Sequence, residues 1–370
     1  MKTYTEITPN IIKSLIEEFG ESFVFLHHTG NMYGMGCFAD NTQALKRIKD
    51  LKKRNYSKGF VVLIPELLES AFIKSSINDN VGNPNVKLTA KQQLLMQQYW
   101  PGNLTFCVEL GDSQPEFEDL AIDNRIAIRC PGDKLLRRFI KLAGHSVIST
   151  SVNESNDISL NNLDIIRSLD WFDFAVLSKT TDGINADEPR QSTIIGFDGD
   201  ELKCYREGSI SFREIEMSFK EPLILFICTG NICRSPMAEY YAGYIFKERG
   251  LPFRTASAGV FASGYPISTN SKMMLKNNNI DSEMHSSMQV NQQLIESSCL
   301  ILTMENVHKN ILYNMYPDSK HKVYTLAEYC GADNDISDPF SRDIGVYEST
   351  YELIKEYIVK LTDILEEKLN

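Results

Sequence analysis

Residues 226–241 read FICTGNICRSPMAEYY: an apolar run ends in Cys228, five residues form a turn-like loop, and Arg234-Ser235-Pro236 opens a helix-like segment. The order implies a thiol at a strand's C-terminal end and at a helix's N-terminal end. A thiol attacks only as thiolate, and a free one, with a pKa of ~8.5, is mostly protonated near neutrality. Loop N–H groups and the helix dipole favour an anion at such a junction, and the same N–H groups would cradle a phosphate. Gly230 and Asn231 are residue types that tolerate left-handed backbone, which a loop wrapped around an oxyanion needs. Arg234 offers a planar fork for two phosphoryl oxygens, and Ser235 can donate to a thiolate. Taken alone, Cys228 would read as a small buried residue and Arg234 as a surface charge; their joint spacing argues for chemistry.

Outward from this loop, strand-like and helix-like runs alternate: LILFICT, PMAEYYAGYIFKERG, FRTASAG, TNSKMMLKNN, CLILTM, NVHKNILYNMY and KVYTLAE. In the closing segment Tyr347, Tyr351, Ile354, Ile358, Leu361 and Leu365 recur at helical steps, as on one buried helix face. Such alternation predicts a doubly wound parallel sheet with its ligand at the strand C-termini. The first half differs. ESFVFLHHT, GFVVLIP, LTFCVEL, RIAIRCP, HSVISTS, FAVLS, STIIGF and ELKCYREG read as short strands, with DKLLRRFIKLAG as a helix, and predict a separate α/β or α+β domain. The polar stretch SISFREIEMSFKEP, 209–222, lies between the patterns, so domains of 1–215 and 222–370 are expected.

The chain has 370 residues, 42% hydrophobic and 24% charged, which suits more than one globular domain. Its net charge of −11 argues against general attraction to nucleic acid or an anionic membrane, with the basic run KRIKDLKKRNYSK, 46–58, as a local exception. That run by itself would read as a solvated helix face. Eight scattered cysteines form no Cys-x-x-Cys pair, which argues against zinc or a disulfide framework, and no metal ligand set is expected. No stretch approaches the ~20 apolar residues of a membrane span, and no signal peptide is read at the N-terminus. A cytoplasmic location is expected.

The segment CTGNICRSPMAE resembles the signature of the low-molecular-weight protein tyrosine phosphatases, and SAGVFAS, LILTM and DISDPF follow in that family's order over 223–370. The resemblance implies a cofactor-free hydrolase for phosphorylated protein. Cys228 would attack phosphorus, while Arg234 and the phosphate loop of Thr229, Gly230, Asn231, Ile232, Cys233 and Ser235 hold the oxygens. Asp338 would protonate the leaving group and then activate water, and Cys233 would pair reversibly with the nucleophile. Arsenate reduction, which shares the fold, resembles a relay with two more cysteines after the third strand; TMENVH stands there instead. The wider pattern is similar to the protein-arginine phosphatase branch, whose loop has threonine where this chain has Ile232. Isoleucine adds apolar bulk suited to a phenol ring, so phosphotyrosine is the expected substrate and phosphoarginine the alternative.

In the first half TGNMYGMGC, KKRNYSK, YWPGNLT, RIAIRCP, STSVN, QSTII and REG follow one another as in the YrdC-like threonylcarbamoyl-AMP synthases, across about residues 8–215. That resemblance implies synthesis of L-threonylcarbamoyladenylate from threonine, bicarbonate and ATP for tRNA threonylcarbamoyladenosine, with tRNA or tRNA-modification proteins as partners and Mg2+ arriving with ATP. Lys52, Arg54 and Arg206 would clamp the phosphates, with Thr105, Ser149, Ser151 and Asn153 around the nucleotide. Thr29, Arg129 and Ser192 would hold the amino acid. Three departures stand out: HTGN replaces Pro-Thr-(Asp/Glu)-Thr, Asn103 replaces a proline, and SKT replaces Asp-Gly-Gly. The sequence therefore carries two readings, a bifunctional enzyme or a phosphatase with a noncatalytic nucleotide- or RNA-binding module.

Overall fold

A computed structural model of the protein describes residues 1–53, 59–66, 86–110, 117, 119–154, 159–179, 191–199 and 201–369. By internal contacts these divide into two units. The first holds residues 1–66, 86–89 and 99–214; the second holds 90–98 and 215–369.

The first unit is built on a mixed sheet. Its strands are β1 (Lys2–Tyr4), β2 (Phe25–His28), β3 (Tyr33–Phe38), β4 (Val61–Leu63), β5 (Val86–Lys87), β6 (Leu104–Leu110), β7 (Arg125–Arg129), β8 (Val147–Ser151), β9 (Phe174–Val176), β10 (Thr193–Asp198) and β11 (Glu201–Arg206). The order is β1-β9-β2-β3-β8-β4-β7-β6-β10-β11, with β5 beside β6. Helices Pro9–Phe19 and Lys134–Ala143 cover one face, where Ile12, Leu15, Leu136, Phe139 and Ile140 pack on Phe25, Phe38, Val147 and Phe174. The second helix starts on Asp133, whose carboxylate accepts from Leu136 N, and stops at Gly144 with φ 75°. Strand β3 lies in TGNMYGMGC and is not among the strand-like runs of the sequence. All six of its residues are buried, and a Cβ on Gly36 would stand 2.4 Å from the carbonyl oxygen of Ile148. Glycine there permits close approach of β8, at the expense of the apolar alternation by which strands are recognised.

The second unit has a parallel sheet of β12 (Leu223–Cys228), β13 (Arg254–Gly259), β14 (Ser298–Thr303) and β15 (Val323–Thr325), ordered β13-β12-β14-β15. Helices Arg234–Glu248 and Ile344–Leu369 pack on one face, against Ile224, Phe226, Leu300 and Leu302. The opposite face buries Leu225, Ile227 and Ile301 with Ile295 and Leu312 of helices Gln292–Ser297 and Asn306–Met315. All six periodic residues of the last helix are buried. This is the expected α/β, doubly wound arrangement. Because β13 and β14 flank β12 on opposite sides, the order reverses at β12 and opens a crevice beyond Cys228. The polar stretch 209–222 contains a helix, Phe212–Lys220, that buries Ile215 and Phe219.

Candidate active sites

In the second unit, residues 229–233 turn from β12 into the helix beginning at Arg234. Asn231 adopts φ 55° and is fully buried. Its carbonyl accepts from His285 Nε2 at 2.8 Å, its Oδ1 from Met288 N at 2.8 Å, and its Nδ2 donates to Ser235 Oγ at 3.0 Å and Ser257 Oγ at 2.7 Å. An amide with both ends engaged stabilises the left-handed turn that points backbone N–H groups inward. Cys228 Sγ receives Asn231 N at 3.3 Å and lies 3.0 Å from Ser235 Oγ.

Arg234 is 1% exposed. Its Nη1 donates to Glu305 Oε2 at 2.5 Å and to the carbonyl of Ile336 at 2.9 Å, while Nη2 meets Asp338 Oδ2 at 2.8 Å. The Nε–H is buried with no partner. Nη1 is thus the anchored nitrogen, and Nε with Nη2 forms the fork that two oxygens of one phosphoryl group would match. A cavity of about 180 Å³ is lined by Cys228, Thr229, Gly230, Ile232, Cys233, Arg234, Asp338 and Phe340. The structure brings these expected residues together. Asn231 and Ser235 stand behind the cavity, and burial pushes the Cys233 thiol up from its ordinary value. Sequence reasoning missed Glu305 and His308. His308 is 1% exposed, sits 2.9 Å from Thr229 Oγ1, and is held below its ordinary pKa by burial and then by Arg234. Both residues follow the C-terminal end of β14 beside the crevice, so the strand-end rule offered the signal.

The first unit has a cavity of about 280 Å³ over β3, β4, β7 and β8, lined among others by Thr29, Lys52, Arg129, Ser149, Ser151, Asn153, Ser192 and Arg206. Lys52 Nζ donates to Ser151 O at 2.6 Å, Asn153 O at 2.9 Å and Asn153 Oδ1 at 2.7 Å. Arg206 donates through Nε and Nη2 to Ser192 O, at 3.1 and 2.8 Å. Thr105 is fully buried and is not among the described lining residues; its Oγ1 lies 2.9 Å from the Oγ of Ser192, which is. Ser149 Oγ is 2.9 Å from Nε2 of His27, a ring kept neutral by burial, with a pKa lowered to about 3. Arg54 falls outside the described residues.

Among the described residues three cations therefore line one cavity, and none of the described lining residues is an aspartate or glutamate. Burial and the neighbouring Arg206 lower the Arg129 pKa to about 10. Such a lining suits a polyanion. Among the described residues no cluster of three His, Cys, Asp or Glu could hold a metal, and no helix is long and apolar enough to cross a membrane.

A buried thiol beneath inward amides, beside an arginine fork at the switch point of a parallel sheet, is an arrangement suited to a phosphoryl group and marks the second unit as a phosphatase domain. Family models match over residues 223–370, described as low molecular weight phosphotyrosine protein phosphatase, and over 22–208, Sua5/YciO/YrdC, described as telomere recombination; the chain belongs to both families. It is 37% identical to a protein-arginine-phosphatase of Geobacillus stearothermophilus, over 39% of this chain and 95% of that protein. Identity to the low molecular weight protein-tyrosine-phosphatase PtpB of Staphylococcus epidermidis is 34%, over 37% of this chain and 95% of that protein. The first half is similar to the threonylcarbamoyl-AMP synthase of Buchnera aphidicola subsp. Schizaphis graminum, 30% identical over 38% of this chain and 69% of the relative.

Proposed function

We propose that the chain carries two catalytic activities on one polypeptide. The second unit hydrolyses phosphoprotein, with phosphotyrosine preferred. The observation that carries this reading is the Arg234 fork, with Nε unpartnered and Nη2 on Asp338, at the cavity that Cys228 lines. An arriving phosphoryl group takes two oxygens to Nε and Nη2 and displaces the Asp338 carboxylate, which takes up a proton from solvent and then acts as acid. Cys228 thiolate attacks phosphorus as the P–O bond breaks, and protonated Asp338 gives its proton to the leaving oxygen. Asp338 next takes a proton from water. The water oxygen attacks phosphorus, the P–S bond breaks, and phosphate leaves with the thiolate restored. Ile232 and Phe340 line the same cavity and supply apolar walls for a phenol ring.

The first unit condenses the threonine amine with bicarbonate to a carbamate with loss of water, and the carbamate oxygen attacks the α-phosphorus of ATP as the bond to pyrophosphate breaks. The three cations among the described lining residues, Lys52, Arg129 and Arg206, support this reading, because a triphosphate and an amino-acid carboxylate both need positive charge. The product would feed tRNA modification in the cytoplasm. Two alternatives have specific support. The arginine-phosphatase relative and the two carboxylates of Glu305 and Asp338 favour a phosphoguanidinium substrate; the internally bonded Lys52 favours a module that binds nucleotide without turning it over. One experiment with the intact chain separates them. Wild type, Cys228→Ser and Ile232→Thr are compared on matched phosphotyrosine and phosphoarginine peptides, and pyrophosphate release is followed with ATP, threonine and bicarbonate. The expected result is threonine-dependent pyrophosphate release, kcat/KM favouring phosphotyrosine, a shift toward phosphoarginine in Ile232→Thr, and no turnover by Cys228→Ser. Hydrolysis by the serine variant, or a wild-type preference for phosphoarginine, would reject the first assignment. Absence of pyrophosphate release would reject the second.

A further inference from the structure

The first unit departs from the synthase pattern at Asn31 and Asn103, and the two departures meet on one guanidinium. Arg129 Nη2 donates to Asn31 Oδ1 at 3.0 Å, Asn103 Oδ1 at 2.7 Å and the carbonyl of Thr29 at 3.2 Å; Nε donates to the carbonyl of Gly102 at 2.7 Å. Thr29 Oγ1 also donates to Asn31 Oδ1, at 2.8 Å. Every one of these acceptors is neutral. Arg129 is 4% exposed and lines the cavity with Arg206 and Lys52.

A buried guanidinium usually has a carboxylate partner, because an uncompensated charge in a low dielectric is costly. Here amide and peptide oxygens occupy Nε and both Nη2 protons, which fix the orientation of the plane. They leave its full charge uncancelled and Nη1 as the nitrogen available to a ligand. We propose that Asn31 and Asn103 are positioning residues that clamp Arg129 by one edge while keeping it cationic, so that the subsite selects a ligand bearing a carboxylate. This rests on reading the cavity as an amino-acid and nucleotide site. It assigns the two departures a role in that site instead of treating them as decay.

The test is Asn103→Asp, which preserves shape and the bond to Nη2 but adds the missing counter-charge. If Asn103 serves only the fold, aspartate is a good replacement, since a charge-assisted bond is stronger than a neutral one. If it keeps Arg129 available, aspartate neutralises the subsite. The expected result for Asn103→Asp in the intact protein is a melting temperature no lower than wild type, ATP affinity within about twofold, and threonine affinity weakened at least about tenfold. Threoninamide, which lacks the carboxylate, should lose no more than about twofold. Asn31→Asp gives a second route to the same neutralisation should the first variant fold poorly. Threonine bound as tightly by both variants as by wild type overturns the proposal while leaving the synthase reading standing. Wild type that binds neither ATP nor threonine overturns both.

Discussion

Glu305 illustrates what a single side chain contributes at this scale. Its Oε2 holds Arg234 Nη1 at 2.5 Å and lies 3.7 Å from His308 Nε2, so it ties the arginine and the histidine behind Thr229 into one cluster. Arg234 also meets Asp338, and only one of the two carboxylates can leave without freeing the guanidinium. Asp338 is the more exposed partner, with 43% of its side chain open against 29% for Glu305. Substrate should therefore displace Asp338 and leave Glu305 as the anchor. Glu305→Ala is expected to lower phosphatase kcat/KM by about tenfold or more, through loss of a charge-assisted bond to a buried cation. Glu305→Gln, which keeps an acceptor on Nη1, should recover part of that loss. Equal activity of wild type and the alanine variant would show that Arg234 is positioned by Ile336 O and the phosphate alone.

At the scale of elements, helix Arg234–Glu248 carries a second carboxyl into the site's support. Ser257 Oγ donates to Glu239 Oε2 at 2.6 Å, and Asn231 and Ser235 continue the hydrogen-bonded path to Cys228. Burial raises Glu239 from its ordinary 4.5 to about 7, so the folded state holds a proton that the unfolded state has released. Stability from this group is fully present below pH 4.5 and is lost as pH climbs through about 7. Glu239→Gln should then be the more stable protein at pH 8, with the difference in melting temperature shrinking toward pH 5; a gap that widens on acidification would contradict this. The path was legible only in part. Cys228 and Arg234 carry chemistry-specific residue types at a recognisable spacing and the family resemblance implied Asp338, whereas Ser257 and Glu239 lie 29 and 11 residues from Cys228 and meet it only through folding. The β-rich runs and the last helix announced themselves by period. Strand β3 did not, because Gly34 and Gly36 interrupt its apolar pattern, and the helix at 212–220 was masked by its charges.

For the whole molecule, chain order and compact unit are not the same thing. Residues 90–98 precede β6 of the first unit, yet their contacts belong to the second, where Leu94 enters the core with Leu300 and Tyr324. Sequence could not reveal this, since AKQQLLMQQY is as glutamine-rich as it is apolar and its partners lie 120 to 224 residues on. Polar bonds reinforce the packing. His321 Nε2 donates to the carbonyl of Gln97 at 2.8 Å, and Lys322 Nζ donates to those of Gln98 at 3.3 Å and Ser298 at 2.8 Å. Lys322 is buried, and that burial lowers its pKa to about 8, so each acceptor it retains matters. A fragment of residues 216–370 keeps the whole candidate phosphatase loop but lacks Leu94, the Gln97 carbonyl and the Gln98 carbonyl. Truncating a buried leucine alone costs about 2 to 5 kcal/mol, and the fragment also leaves Lys322 with one acceptor fewer. It should unfold at a clearly lower denaturant concentration than the same unit in the intact chain, followed by loss of phosphatase activity. Leu94→Ala in the intact chain should shift that midpoint in the same direction by a smaller amount. A fragment as stable as the intact chain, together with a silent Leu94→Ala, would mean that residues 90–98 contribute nothing to the second unit.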